Sequence, residues 1–398
     1  MICRSILYIS YDGMLEPLGQ SQVLAYLKQL AVGRVSHLIS FEKANDWDNK
    51  IERERISHEI SGAGIIWHPL RYHKHPSVLA TAWDIICGTA IGFLLVKRYQ
   101  LRIVHARSYV PSVMALALKR LTGVKYLFDM RGFWADERVD GGLWPQDGRM
   151  WRVAKEFERR FLLEADHVVS LTQAGVREMQ LFPYLQGRMP PVTVIPTCAD
   201  LACFTPLMRE RDDSGFVLGY VGSVGTWYLF DQVAACFAQL LRLQPDARFF
   251  IVNRGEHAYI RERLSAAGVP ESVIELANVT HAEMPSQMAK MDAGVFFIKP
   301  VFSKQASAPT KLAEFLGCGI PCLGNAGVGD MEEVLEGEQV GVALTSFDEV
   351  TMTAALQRLL RLVADPETRR RCVTTAQWHF SLHQGVARYR GIYEQLDE

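Results

Sequence analysis

Two doubly wound α/β domains in tandem are what this sequence predicts, on three observations. A short apolar strand, a Gly- or Ser-rich turn and an amphipathic helix recur along the chain, which is the pattern of a parallel sheet covered by helices. The series stops and then restarts at FVLGYVG, residues 216–222. Between the two series lies VTVIPTCADLACFTPLMRERDDSG, two prolines followed by a charged, helix-poor stretch, so the joint is placed near residues 196 to 212. At 398 residues, with 49% hydrophobic and 22% charged, the chain is long enough to bury more than one core.

In the first series the strands are SILYIS (5–10), SHLISF (36–41), RIVHAR (102–107), KYLFDM (125–130) and HVVSL (167–171), with helices such as SQVLAYLKQLAV and VPSVMALALKRL between them. In the second they are FVLGYVG (216–222), ARFFIVN (247–253), AGVFFIK (293–299) and IPCLGN (320–325). The opening run ends at Asp12 and Gly13 after a few apolar residues and is read as a first strand, not a secretory signal. VLATAWDIICGTAIGFLLV (78–96) approaches membrane-spanning length, but Asp84, Gly88 and Gly92 interrupt it, and it is read as a core helix or helix pair.

The formal net charge of -1 gives no overall field for nucleic acid or an anionic surface. The eight cysteines are scattered, without a CxxC pair, and are read as reduced core thiols in a cytoplasm. WHPLRYHKHP contains His68, His73 and His75 but no Cys or acidic partner, so it is read as a polar loop and no metal site is assigned. The helix RMWRVAKEFERRFLLEAD sets Trp151, Ala154, Phe157, Phe161 and Leu162 against Arg152, Lys155, Arg159 and Arg160. That is first a surface helix, and second a basic face suited to anionic lipid headgroups, giving a peripheral membrane contact.

SAPTKLAEFLGCGIPCL (307–323) carries the chemistry. A strand, AGVFFIK, leads through PVFSKQASA into the helix PTKLAEFLG. Pro309 suits a helix start and Ser307 a cap, and the free amides of the first turn attract an anion such as phosphate. Glu314 lies one turn on, on the face of Thr310 and Lys311. It is either a solvated helix residue or an acceptor for two hydroxyls of one ligand. A phosphate beside a vicinal diol describes a nucleotide with its ribose.

KLAEFLGCGIP resembles the nucleotide-binding segment of the retaining family-4 glycosyltransferases of GT-B type, in the variant with Ser-Pro-x-Lys before the Glu. ADHVVSLTQAG (165–175), VIPTCADLACF (194–204), LGYVGSVG (218–225) and YISYDGMLEPLGQSQVLAYLKQL match that family in its order. The resemblance implies two Rossmann-like domains facing a cleft: 1–200 on the acceptor side, 201–377 for the donor, and a helix at 378–398 packing back on the first domain. It implies transfer of a sugar from a nucleotide diphosphate sugar to a hydroxyl of a glycan or lipid-linked acceptor, with configuration retained, no metal and no cofactor. Glu314 would take the ribose, and the amides around Pro309 and Thr310 the diphosphate.

The sequence departs from that family in three places. The position eight before Glu314, where a second Glu is usual, is Ala306. The loop GSVGTWYLFDQ offers Ser223, Gly225 and Thr226 to the donor but no basic residue, so Lys299, Lys304, Lys311 or Arg254 would neutralise the diphosphate, Lys304 first. Where the family often has a His, FDMRGFWADERVDGGLW has Asp129 and Arg131; these and Lys304 are the catalytic candidates, against a buried ion pair ordering the loop. EPLGQSQ fills the place of a Gly-rich loop, with Gly19 and Gln20 near a phosphate. The resulting expectation is a cytoplasmic glycosyltransferase of glycan biosynthesis; a nucleotide-sugar epimerase and a non-catalytic nucleotide-sugar binder are the alternatives.

Overall fold

The computed structural model describes residues 5–207, 215–280 and 283–398, so Cys3 and the end of the expected linker, 208–212, lie outside the described residues. The chain divides into two compact units, Met1–Ile195 with Gly385–Glu398, and Pro196–Gln384. The first unit's main segment thus ends at Ile195, short of residue 200, and its second segment begins at Gly385.

Unit one is built on a seven-stranded sheet in the order β3-β2-β1-β4-β5-β6-β7. Its strands are β1 (Ser5–Ser10), β2 (Val35–Glu42), β3 (Ile65–Arg71), β4 (Ile103–Arg107), β5 (Lys125–Asp129), β6 (His167–Ser170) and β7 (Val192–Val194). All pairs are parallel. Ile6, Leu7, Ile9, Ile103, Val104, Leu127, Phe128, Val168 and Val169 are fully buried, because helices cover both faces of a parallel sheet and its inner strands read as continuous apolar runs. Unit two repeats the plan with six strands, β10-β9-β8-β11-β12-β13. These are β8 (Val217–Val221), β9 (Arg248–Val252), β10 (Ile274–Ala277), β11 (Ala293–Val295), β12 (Cys322–Asn325) and β13 (Gly341–Leu344).

All nine expected strands exist, and among the described residues four more join them. β3, β7, β10 and β13 are the outermost strands of the two sheets. Three of the four are short, half-exposed or broken by Pro and charge, and so lose the apolar run that marks an inner strand; β13 is apolar and buried, but only four residues long. β3 contains Pro69, and β10 contains Glu275. The polar loop expected at WHPLRYHKHP is therefore corrected: Trp67–Arg71 is strand, and His68 stacks on His37 with ring planes 4° apart.

The stretch 78–96 is likewise corrected. It is one helix, Ser77–Tyr99, and not a core helix, because only one face is buried. A Cβ on Gly88 would stand 2.6 Å from Met114 Sδ, and one on Gly92 2.9 Å from Leu118 Cδ1. The glycines are where this helix lies tightly on the helix Tyr109–Thr122, not breaks in it. The seven described cysteines are free, but Cys203 is exposed and Cys87 half-buried, so not all are core thiols.

The last helix, Leu382–Asp397, buries Val386, Tyr389, Ile392, Tyr393 and Leu396 in unit one. Tyr393 Oη lies 2.7 Å from His105 Nδ1, Tyr389 donates to Asp129 Oδ2 at 3.1 Å, and Arg34 pairs with Asp397 at 2.8 Å. The alternation of β1 and β4 presents Tyr8 and His105 to this helix.

Candidate functional site

In unit two the carboxyl ends of β8 and β11 and the helix Thr310–Gly317 bring the chemistry together. That helix is short for local reasons. A Cβ on Gly317 would meet Leu201 Cδ2 and the Phe204 carbonyl oxygen at 2.8 Å, and Gly319, at φ 77°, turns the chain in the left-handed region to enter β12. Pro309 is the cap position itself, with extended φ −67° and ψ 120°; it makes no side-chain cap bond, and Leu312 N–H donates to Pro309 O at 3.1 Å. The expected Ser307 cap is absent: its N–H donates to Lys304 O at 3.2 Å, and Lys304 O also accepts from Gly329 N–H at 2.9 Å.

Lys311 is the central group. Its ammonium lies 3.7 Å from the Tyr228 ring centroid, 5.0 Å from Tyr220 and 5.5 Å from Phe296, and its Nζ has no hydrogen-bond partner among the described residues. A Cβ added to Gly222 would come within 3.2 Å of that Nζ, so the ammonium sits beside the loop that leaves β8. Gly222 has φ 106°, a conformation closed to other residues. A buried cation without a donor's partner is costly unless a ligand completes it. Burial pulls the Lys311 ammonium down to about 7 and pushes the Glu314 carboxyl up to about 7, and their mutual attraction opposes both shifts.

The β8 loop is bolted in place by polar contacts the sequence did not reveal. Asn253, at the end of β9 and buried, donates to Gly222 O at 3.0 Å and to Glu256 Oε2 at 2.8 Å, and Glu256 accepts from Val224 N–H at 3.2 Å. Tyr220 donates to Ser223 O at 2.6 Å. Gly225 and Thr226 are exposed, Thr226 at φ 55°, and Lys299 donates its N–H to Trp227 O at 3.0 Å. Lys304 is buried with its ammonium 3.8 Å from the Trp227 ring centroid, while Arg254 is exposed. Of the four cations named from sequence, Lys311 alone lies against Gly222. Its signal was its place three residues before Glu314 on one helical face; the Tyr220, Tyr228 and Phe296 cage comes from two other strands' ends and has no local signature.

In unit one Asp129 closes β5 and is 1% exposed. His105 Nε2 and Arg107 Nη1 stand 3.6 and 3.8 Å from its Oδ2, beyond hydrogen-bond range. Burial disfavours its ionisation, but Arg131, His105 and Arg107 together hold the carboxyl below its ordinary range. Through its bond from Tyr389, Asp129 ties the last helix to the sheet. Arg131 follows at φ 59°, half-buried.

The Gly19 loop is corrected. Pro17 opens a helical turn that continues through Leu30, and Gly19 is buried with a Cβ position only 1.9 Å from Gly13 O, so the stretch is helix and the missing side chain of Gly19 makes room for backbone. Gln20 binds Leu15 O and Glu52. The loop actually leaving β1 is held by Glu42, which accepts from Met14 N–H at 2.9 Å and Leu15 N–H at 3.2 Å.

Residues 34–198 match the family of the glycosyl transferase 4-like domain, and residues 209–378 that of the glycosyl transferases group 1. Among curated proteins, no sequence matches the chain. Solved structures share its fold. Sucrose-phosphate synthase from Thermosynechococcus elongatus superposes with a TM-score of 0.74 at 16% identity, covering 99% of each chain. A glycosyltransferase from Rickettsia africae gives 0.72 at 14%, covering 100% of both, and Anabaena HepE, solved with UDP and glucose, gives 0.65 at 14%, covering 99% of both.

Proposed function

We propose a reaction for this chain from one premise: it belongs to the glycosyltransferases, with a GT-B fold made of a 4-like first unit and a group 1 second unit. The enzyme moves a sugar from a nucleotide sugar. In our reading the donor is a nucleoside diphosphate sugar bound to unit two, with the diphosphate on Lys311 and the first-turn amides of Thr310–Gly317, and the ribose hydroxyls on Glu314. The observation that carries this is the unpartnered Lys311 ammonium beside Gly222, in the first turn of the helix that also bears Glu314.

The chemistry follows from those charges. As the glycosidic bond breaks, negative charge gathers on the leaving diphosphate, and a cation already in place in a desolvated site stabilises it without reorganisation. The acceptor hydroxyl oxygen bonds the anomeric carbon on the face the diphosphate leaves, its proton passes to the departing phosphate oxygen, and configuration is retained. Lys311 takes the part a divalent metal plays elsewhere, so no metal is required. Retention and metal independence rest on the family resemblance and on this built-in cation. The HepE complex with UDP supports the donor class by likeness of fold.

A thermal-shift screen against UDP, GDP, ADP and CMP in excess EDTA tests the reading. One nucleoside diphosphate is expected to stabilise the protein by about 2.7 kcal/mol at a hundredfold excess over Kd. No shift with any nucleotide, or a shift that needs added Mn²⁺, contradicts it.

A further inference from the structure

The helix Ser77–Tyr99 is long and apolar enough to cross a membrane, yet it is packed into unit one along one face only. Ala80, Asp84, Gly88, Gly92 and Val96 form the buried stripe, each four residues from the last. Directly opposite, Val78, Ala82, Ile86, Ala90 and Leu94 form an exposed stripe of the same spacing, flanked by Leu79 and Trp83. Exposure reaches 69% at Leu79, 55% at Trp83, 60% at Ile86 and 65% at Leu94. At 1.5 Å per residue the apolar strip from Val78 to Leu94 is about 24 Å long, more than scattered surface hydrophobics amount to.

The charges around the strip say what fits it. From Arg71 to Arg102 the sequence holds one acid, Asp84, and it is buried, accepting from Tyr11 Oη at 2.8 Å and facing His73 Nδ1 at 2.5 Å. The same stretch holds Arg71, Lys74, Lys97, Arg98 and Arg102, all exposed, at the two ends of the strip. A strip without charge, with a tryptophan on it and cations at both ends, is complementary to an anionic bilayer surface, where the apolar face enters the acyl boundary and the bases meet lipid phosphates.

The basic helix singled out from sequence, Arg149–Glu164, does not compete for this role. Lys155 is paired with Asp136 at 2.8 Å and with Glu158, and Arg159 and Arg160 both bind Glu156. Its charge is largely consumed within the protein.

We propose that unit one docks on an anionic lipid surface through Ser77–Tyr99, the helix lying in the plane of the interface. Spanning is excluded by the buried stripe, which already serves the fold. The inference stands on exposure and charge and does not depend on the donor-site reading.

The test is co-sedimentation of the full chain with vesicles of phosphatidylcholine alone or mixed with phosphatidylglycerol. Binding is expected to the anionic vesicles and to fall about tenfold or more in Ile86→Glu/Leu94→Glu and in Lys97→Glu/Arg98→Glu. These side chains face solvent, so melting temperature and nucleotide binding are expected to stay unchanged. A wild-type protein that remains in the supernatant with anionic vesicles overturns the proposal. So does a dimer in sedimentation velocity that the first variant disperses while vesicle binding persists, which would give the strip to a second copy of the chain.

Discussion

Lys311→Met is expected to lower affinity for a nucleoside diphosphate by about 10- to 150-fold, the equivalent of losing one charge-assisted bond of roughly 1.5–3 kcal/mol. The fold is expected to survive, because Met keeps the apolar stem in the Tyr220–Tyr228–Phe296 cage and removes a buried charge that has no protein hydrogen bond. Equilibrium binding of diphosphate against the free nucleoside reads the effect; the nucleoside should be nearly unaffected. The same groups set a pH dependence. The binding form has Lys311 charged and Glu314 ionised, and in the free protein both titrate at about 7. Above that pH the free lysine must take up a proton to bind, and below it the free carboxyl must release one. Affinity is therefore expected to peak near 7 and to fall on each side by up to about tenfold per pH unit. Lys311→Arg, which stays charged, should flatten the alkaline limb alone. A pH-independent affinity between 6 and 9 would remove Lys311 from the ligand.

Deleting residues 379–398 is expected to destabilise unit one and abolish turnover together. The deletion uncovers the apolar stripe Val386, Tyr389, Ile392, Tyr393 and Leu396 and strips Tyr389 from Asp129 and Tyr393 from His105, both buried. Tyr393→Ala alone should cost about 3–5 kcal/mol, as for other large buried aromatics. Tyr393→Phe, which loses only the hydroxyl contact, should cost about 1 kcal/mol. Thermal or urea unfolding separates these. A truncated chain with the parent melting temperature and full activity would show that the last helix does not complete the first unit.

The inner strands and the donor segment were legible because their signals are local. SILYIS and FVLGYVG are apolar on both faces, and PTKLAEFLG carries its charges at helical spacing. What failed were residues whose meaning depends on a distant partner. Gly88 and Gly92 looked like breaks in an apolar run, and only the side chains of Met114 and Leu118 explain them. Gly19 looked like an open loop, and only Gly13 O shows that its space is filled. Lys155 looked solvated until Asp136 and Glu158 were found beside it. Asp129 could be named from its place after a strand, but its tie to the last helix needed Tyr389, 260 residues away in sequence.

The central claim is that Glu314 and Lys311 hold the two halves of one nucleotide. Calorimetric titration of the preferred nucleoside diphosphate and of its 2′,3′-dideoxy analogue, on the parent and on Glu314→Ala, tests it most directly. The parent is expected to bind the ribonucleotide at least about tenfold more tightly than the dideoxy analogue, and Glu314→Ala to bind both equally and weakly, because the hydroxyls then have no carboxylate to meet. If Glu314→Ala keeps the parent's affinity and still discriminates between the two ligands, the ribose is held elsewhere and the account of the site is wrong.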